Sequence, residues 1–334
     1  ALILSGAFIY AITRLNPVQV YEAMFEGAFG SSRRSWVTIR DAMMLLCIGI
    51  GLAPAFKMKF WNIGAEGQIL VGGCMTAGLM LALGGTVPTP VLLVIMAIAS
   101  LCAGAVWGMI PAVFKARWGT NETLFTLMMN YVAIQITSYC VALWENPSGS
   151  NTVGIINQQT KVGWFPAIFG QSYALNVVIV LALTVGMFAY LKYSKQGYEI
   201  AVVGESHNTA RYAGIKLSRV IIRTMAISGA ICGLAGFLAV SGVDHTISTN
   251  TAGGRGFTAI IVAWLAQFNT FIMVLISFLL VFLQKGATEI ASQFNLNDFA
   301  SEVITGIILF CIIGSEFFIN YKLIFRKKKG GAKV

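Results

Sequence analysis

Runs of apolar residues close to the length needed to cross a bilayer alternate with short polar breaks along almost the whole chain. A hydrocarbon core about 30 Å thick is crossed by roughly 20 helical residues. The runs fall near 1–13, 38–56, 66–84, 90–112, 121–142, 173–191, 219–241, 256–268, 271–285 and 300–319. They predict an all-α, polytopic transmembrane helix bundle of about ten spans. The eighth and ninth runs are short and joined by Gln267-Phe268-Asn269, which reads as a broken, re-entrant or tightly paired unit. The chain opens on Ala1 within an apolar stretch and without an initiator Met, so its start reads as a trimmed first span and not as a signal peptide.

Composition supports this class. Of 334 residues, 57% are hydrophobic and 11% charged, where a soluble domain carries roughly 25% charged residues. Gly104/Gly108 and Gly229/Gly233 form small-xxx-small pairs, which let helix backbones approach closely in lipid; packing within the bundle is the ordinary use of such pairs. With both termini placed in the cytoplasm, sixteen Lys and Arg lie inside and seven outside, in keeping with the positive-inside rule. The net charge of +10 is thereby accounted for without nucleic acid, and the basic segment 321–334 reads as a cytoplasmic tail after a membrane domain over 1–320. It is placed to touch anionic membrane lipid, or simply flanks the last span. The six cysteines show no CxxC or Cys/His spacing, so no metal site is indicated. No GxxxxGK[ST] run is present, so any ATP and Mg belong to a separate polypeptide and no cofactor is expected on this chain.

Three polar motifs interrupt the apolar background. In Phe60–Leu70, FWNIGAEGQIL, Gly64 and Gly67 permit close backbone approach, while Glu66 and Gln68 fall in the first turn of the third span. One reading has Glu66 complementing the helix dipole and Gln68 bonding neighbouring backbone; the other has Asn62, Glu66 and Gln68 lining or gating a path. The two are compatible. In Asn121–Tyr131, NETLFTLMMNY, Thr126 and Asn130 are four apart and share a face, suited to an inward polar stripe or to an interhelical hydrogen bond. The third motif lies in segment 192–218. In Gly197–Ile215, Ser206 is placed to cap a short helix and Gly214 to end it, and Ala210 and Ala213 give that helix a smooth face suited either to a cleft in another protein or to a solvated connector. Loop 143–172, rich in Asn, Gln, Gly and Ser, is assigned to the outer side as a mouth over the pore or a plain connection, and Asn16–Ser35 reads as an amphipathic surface helix. Gly64–Gln68 and Gly253–Phe257 form a weak internal echo, each a glycine-rich lead into an apolar span; broken helices in corresponding halves often mark a transport pathway.

WNIGAEGQ at Trp61–Gln68, NETLFTLMMNY, and the spaced Ala and Gly from Ala201 to Ile215 together resemble the ABC-transporter permeases of the branched-chain amino acid, ribose and simple-sugar superfamily. Within it, the chain resembles the nucleoside-type permeases that work with lipoprotein receptors of the basic-membrane-protein class, from about Asn16 to Phe318. The resemblance implies a bacterial inner-membrane subunit with three kinds of partner. These are an ATP-binding cassette ATPase, a second homologous permease chain and an extracytoplasmic substrate-binding lipoprotein. It gives Gly204, Ser206, Ala210, Arg211, Ala213 and Gly214 a role in coupling to the ATPase. Trp61, Asn62, Glu66, Gln68, Asn130, Phe257 and Trp264 become the expected substrate path, in which aromatic faces suit a base and amides suit a ribose. The same aromatics also suit packing or interfacial anchoring. Trp107, Phe125, Ser241 and Thr258 are further path candidates of the same kinds. Trp264 and Gln267 depart from the smaller or more basic residues common at their positions in the family. A ribose-type sugar or another heterocycle is the alternative substrate. Two rival classes remain: a proton- or sodium-coupled carrier, for which Glu66, Glu122 and Glu302 fall near predicted span ends and form no evident relay, and a purely structural or receptor membrane protein, which would not need the cytoplasmic helix.

Overall fold

A computed structural model describes residues 16–168 and 170–294, together with Ala7, Tyr10, Val303, Gly306, Ile307, Phe310, Cys311 and Gly314. Among the described residues the secondary structure is helical, apart from one isolated bridge between Ile168 and Gln171. The helices are α1 (Pro17–Phe29), α2 (Ser32–Lys57), α3 (Ala65–Leu83), α4 (Thr89–Trp118), α5 (Glu122–Leu143), α6 (Ala174–Tyr193), α7 (Lys195–Glu205), α8 (His207–Tyr212), α9 (Leu217–Ala239), α10 (Arg255–Leu265) and α11 (Thr270–Gln293). A π-helical turn, Val240–Asp244, continues α9.

Among the described residues, seven helices are long and apolar enough to cross a membrane: α2 to α6, α9 with its π-turn, and α11. They match seven of the expected spans. The expected spans at 1–13 and 300–319, Glu302, and the basic tail 321–334 lie outside the described residues. The eighth expected span is α10, whose 11 residues reach only about 16 Å at 1.5 Å per residue and do not cross a bilayer. The ninth is longer than its apolar run: α11 continues past Gln284 and Lys285 to Gln293. A polar pair ends hydrophobicity without ending helical hydrogen bonding, which is why the run at 271–285 understates the helix.

The chain divides into two compact units, residues 1–38 with 281–334 and residues 39–280. In the first, Asn16 caps α1 by accepting from Val18 N–H at 3.0 Å, and Pro17 occupies the first turn, where its missing N–H costs nothing. α1 is amphipathic as expected: Val20, Ala23, Met24 and Ala28 are buried, while Val18 and Phe25 are exposed. Met24 packs on Gly286, and Arg34 pairs with Glu289 at 3.2 Å.

The second unit is organised around α3, α4 and α9. Lipid tails are as apolar as leucine, so helices in a bilayer are held by close van der Waals packing rather than by hydrophobic exclusion. Here small residues bring backbones into contact. A Cβ on Gly104 of α4 would strike the carbonyl of Gly229 and the Cα of Gly233, both on α9, and a Cβ on Gly72 of α3 would strike the carbonyl of Gly233. The two small-xxx-small pairs seen in the sequence therefore face each other within one chain. Outside this seam, α4, α5 and α6 expose apolar side chains such as Val94, Ile98, Met128, Tyr139 and Val185, as lipid-facing helices do.

This seam yields a paired expectation. Gly104→Leu should lower unfolding stability by about 3 kcal/mol or more, as overpacking against backbone does. Gly186→Ala, where an added Cβ meets nothing within 4 Å, should be neutral or stabilising by up to about 1 kcal/mol. Thermal unfolding of both variants in detergent checks the contrast; equal melting temperatures would contradict the packing described.

Candidate functional site

α2 ends at Lys57 and the chain reverses through Met58–Gly64 before α3 begins. Lys59 takes a left-handed conformation (φ 60°) and Phe60 N–H bonds Ala55 C=O at 2.9 Å, closing the turn. The side chains of this segment then satisfy its own polar groups. Asn62 Oδ1 accepts from Gly64 N–H at 3.0 Å, and its Nδ2 donates to Ser228 Oγ at 3.1 Å. The amides of Asn62 and Gln68 also face each other, at 3.3 and 3.4 Å. From α5, Asn130 accepts from Gly67 N–H and donates to Ile63 C=O, both at 2.9 Å. Thr126 accepts from Ile63 N–H at 3.2 Å. The stripe of Thr126 and Asn130 thus works here as an interhelical clamp. Asn62, Gln68 and Asn130 are buried, with their amides engaged inside the protein.

Glu66 makes the longest-range of these contacts. Its Oε1 accepts from Gly256 N–H at 2.9 Å, in the first turn of α10. The first N–H groups of a helix have no partner within it, and the helix dipole favours an anion there. Gly256 lets the two helices approach: a Cβ at that position would lie 2.7 Å from Glu66 N. The two glycine-rich segments that echo each other in the sequence therefore meet at a carboxylate.

The other end of α10 is fastened by aromatic rings. Trp264 stacks on Trp61 with centroids 5.2 Å apart and planes at 21°, and Phe56 and Phe268 pack around the pair at 5.4–6.4 Å. Trp61 and Trp264 remain 43% and 45% exposed, as does Phe257 at 45%. Of the seven expected path residues, the structure thus brings Trp61, Asn62, Glu66, Gln68 and Asn130 to one junction and places Trp264 against it. Phe257 stands on the exposed face of α10. Phe125 packs on Phe114 at 4.9 Å, Thr258 bonds its own helix at Gly254 C=O, and Trp107 is half-buried.

The segment between α6 and α9 folds as two short helices. Ser206 caps α8 by accepting from Thr209 N–H at 3.3 Å, and Gly214 follows in the left-handed region (φ 75°). The helix ends are where the sequence put them; the expected face is not. Ala210 is fully buried while Ala213, Arg211 and Gly214 are exposed, so the two alanines do not form one outward surface. Gly204 is buried too, with its Cα against the carbonyl of Lys57 at the end of α2. What projects is Tyr212, 94% exposed, next to Arg211. Glu199 pairs with Arg223 at 2.9 Å and ties α7 to the first turns of α9.

Loop 144–173 is folded onto the other end of α9. Ile156 N–H bonds His245 C=O at 2.8 Å and Phe165 N–H bonds Ser241 C=O at 3.1 Å. Trp164 lies flat on the His245 ring, 3.7 Å away at 5°. Burial at this stack, just beyond the membrane-spanning helix, lowers the pKa of the imidazole below its ordinary value.

A charged group that the sequence reading missed lies among α2, α6, the π-turn and α10. Arg40 bonds Asp41 at 2.8 Å, and its guanidinium sits 5.0 Å from the centre of the Tyr173 ring. Arg255 approaches the same Asp41 oxygen at 4.0 Å. Asp244 is exposed and interacts with the charges of both arginines. Counting Arg40 and Arg255 only as flanking positive charges hid them; the signal was the adjacent Arg40-Asp41 pair inside an apolar run, where ionisable groups are costly.

Residues 37–313 match the family described as branched-chain amino acid transport system, permease component. The guanosine ABC transporter permease protein NupP of Bacillus subtilis is 29% identical over 98% of this chain and 94% of its own length. The glucose ABC transporter permease protein TsgB13 of Haloferax volcanii is 28% identical over 97% and 87%, and the nucleoside ABC transporter permease protein NupB of Lactococcus lactis is 27% identical over 96% and 90%. No solved structure matches.

Removing the Glu66 carboxylate should strand a buried N–H. Glu66→Ala should therefore cost about 1–3 kcal/mol, whereas Glu66→Gln, which keeps an acceptor oxygen, should recover most of that loss. Thermal unfolding monitored by tryptophan fluorescence tests this, and an alanine variant as stable as the glutamine variant would contradict it.

Proposed function

The chain belongs to the branched-chain amino acid transport permease family, and we propose that it is a translocating subunit of an ATP-driven importer for nucleosides. The observation that carries the substrate class is its likeness, over almost its full length, to permeases named for guanosine and for nucleosides. The likeness to a glucose permease favours one second reading, import of a simple sugar. Both solutes carry a hydroxyl-rich ring.

In this reading the chain sits in a bacterial inner membrane with both termini in the cytoplasm. It works beside a second permease chain, an ATPase that holds ATP and Mg, and an extracytoplasmic binding lipoprotein. The interrupted stretch 58–64 and the short helix α10 meet within the unit. Irregular backbone at membrane depth is tolerated where protein or an aqueous passage satisfies it, and paired broken helices border the pathway in many transporters. The exposed rings of Trp61, Phe257 and Trp264 are available to a base. Asn62, Gln68 and Asn130 support the junction from behind and act on the path through the backbone they hold.

Segment 192–218 receives the ATPase. Because Gly204 abuts Lys57 C=O and Glu199 holds Arg223, a push on α8 reaches both the end of α2 and the start of α9. The exposed Arg211, Tyr212 and Ala213 form the contact face, while Ser206 and Gly214 define its ends and the buried Gly204 and Ala210 transmit force.

Two tests follow. Cells carrying the chain should accumulate labelled guanosine in an ATP-dependent manner that survives an uncoupler, and lose this uptake when the chain is deleted; loss of labelled ribose uptake alone would move the substrate to sugars. Ala213→Trp should change stability by less than about 0.5 kcal/mol, as exposed substitutions do, yet lower uptake at least tenfold. Normal uptake by that variant would remove this face from coupling.

A further inference from the structure

Resting on the importer reading, we propose that Asn176 and the adjoining charged group of Arg40, Asp41, Tyr173, Asp244 and Arg255 form a polar station that holds the hydroxyl-bearing ring of the passing solute. The first observation is an amide without partners. Asn176 on α6 is fully buried, and neither its Oδ1 nor its Nδ2 finds a hydrogen-bond partner among the described residues. It lies against the π-turn: a Cβ on Gly242 would meet its Nδ2 at 2.6 Å and its Cγ at 2.8 Å. Departures from α-helical winding of this kind recur at functional sites.

The second observation is the charged group beside it. Tyr173, one turn before Asn176, receives Arg40 Nη1 at 3.4 Å, and Arg40 in turn holds Asp41. Asp244, two residues beyond Gly242, interacts with Arg40 and Arg255. Asp244 is exposed, Arg40 and Arg255 are half-buried, and Asp41 and Asn176 are buried; Gly242, which lies against Asn176, stands two residues before Asp244.

The chemistry selects the class of ligand. Two carboxylates and two guanidinium groups already balance, which leaves no net charge to attract an ion. Carboxylates accept, guanidinium groups donate, and a primary amide does both. A vicinal diol also does both from neighbouring oxygens, and so fits an amide whose two functions are free. The ligand is an uncharged polyol, either the ribose of a nucleoside or a free sugar, with its diol at Asn176.

Removing an amide that has no partner forfeits no hydrogen bond in the empty protein, so Asn176→Leu separates a solute contact from a structural one. Uptake of tritiated guanosine, 2′-deoxyguanosine and ribose would be measured in cells carrying the wild-type or variant chain at matched membrane levels, with melting temperatures in detergent. The expected result is an unchanged or higher melting temperature, an approximately tenfold fall in guanosine uptake, and a smaller fall for 2′-deoxyguanosine, which lacks one hydroxyl of the diol. Asn176→Ala, which only removes atoms, replaces the leucine variant if that one fails to insert. Cells that import ribose but not guanosine, with the same tenfold fall, uphold the station with a sugar as its ligand. Unchanged uptake in the variant, or equal falls for guanosine and its deoxy analogue, overturns the station while wild-type import keeps the importer. Wild-type cells that import none of the three solutes overturn the importer reading itself, and the station with it.

Discussion

Backbone-to-backbone contact of α3, α4 and α9 is the constraint on which the rest of the membrane unit depends. In lipid the attraction between helices falls off with every added methylene that holds them apart. At Gly72, Gly104, Gly229 and Gly233 there is no room for even a Cβ. That closeness fixes the depth and rotation of α3, and the beginning of α3 carries the polar residues of the junction. Ser228 reaches Asn62 because it stands one residue before Gly229 in the seam. A wider crossing would pull the hydroxyl away from the amide and leave both groups unpaired in a setting where that is expensive.

The junction itself is an electrostatic solution to having a helix begin inside the unit. α10 starts with unpaired N–H groups and a positive dipole end, and Glu66 supplies the matching carboxylate. A carboxylate buried alone would be disfavoured, as would an uncapped helix start; together each offsets part of the other's penalty. Proximity to Arg255 adds to the effect. The stacked rings of Trp61 and Trp264 then hold the far end of α10. The short helix is fastened at both ends to residues 61–66, and that segment in turn adjoins the end of α2, where α7 bears on Lys57. Helices α7 and α10 are thus linked through only a few contacts, by way of the end of α2 and residues 61–66.

Much of this was legible in the sequence because apolar run length and helix length obey the same geometry. Six of the seven membrane-length helices lie within about six residues of where hydropathy put them. The exception at α11 arose because Gln284 and Lys285 end an apolar run but not a helix. One cap was legible too: Ser206 accepts a backbone N–H as its position implied. What the sequence could not convey was which way a side chain faces across helices. Ala210 and Ala213 are three apart and suggest one surface, yet one faces inward and the other out. Asn62, Gln68 and Asn130 have the chemistry of a solute contact, and only their partners reveal that they are occupied. Arg40 and Asp41 stand about 200 residues before Asp244 and Arg255, so no local pattern could join the two pairs.

The contrast between asparagines carries a further point. Asn62 and Asn130 each both donate and accept within 2.9–3.4 Å, and each is fixed by its partners. Asn176, equally buried, is fixed by packing alone. An unpaired buried amide costs about 1–3 kcal/mol, a substantial fraction of a fold's net stability of about 5–15 kcal/mol. Hydrophobic isosteres would remove that cost with little change in volume. Among the described residues, side-chain atoms such as Trp107 Nε1, Thr224 Oγ1 and Ser277 Oγ are also buried without a partner, but among the buried asparagines and glutamines only Asn176 leaves both its amide functions unpaired. An importer supplied by a receptor does not need to grip its solute strongly. A single amide whose pairing is completed only while the solute passes gives enough recognition for transit and too little to trap it.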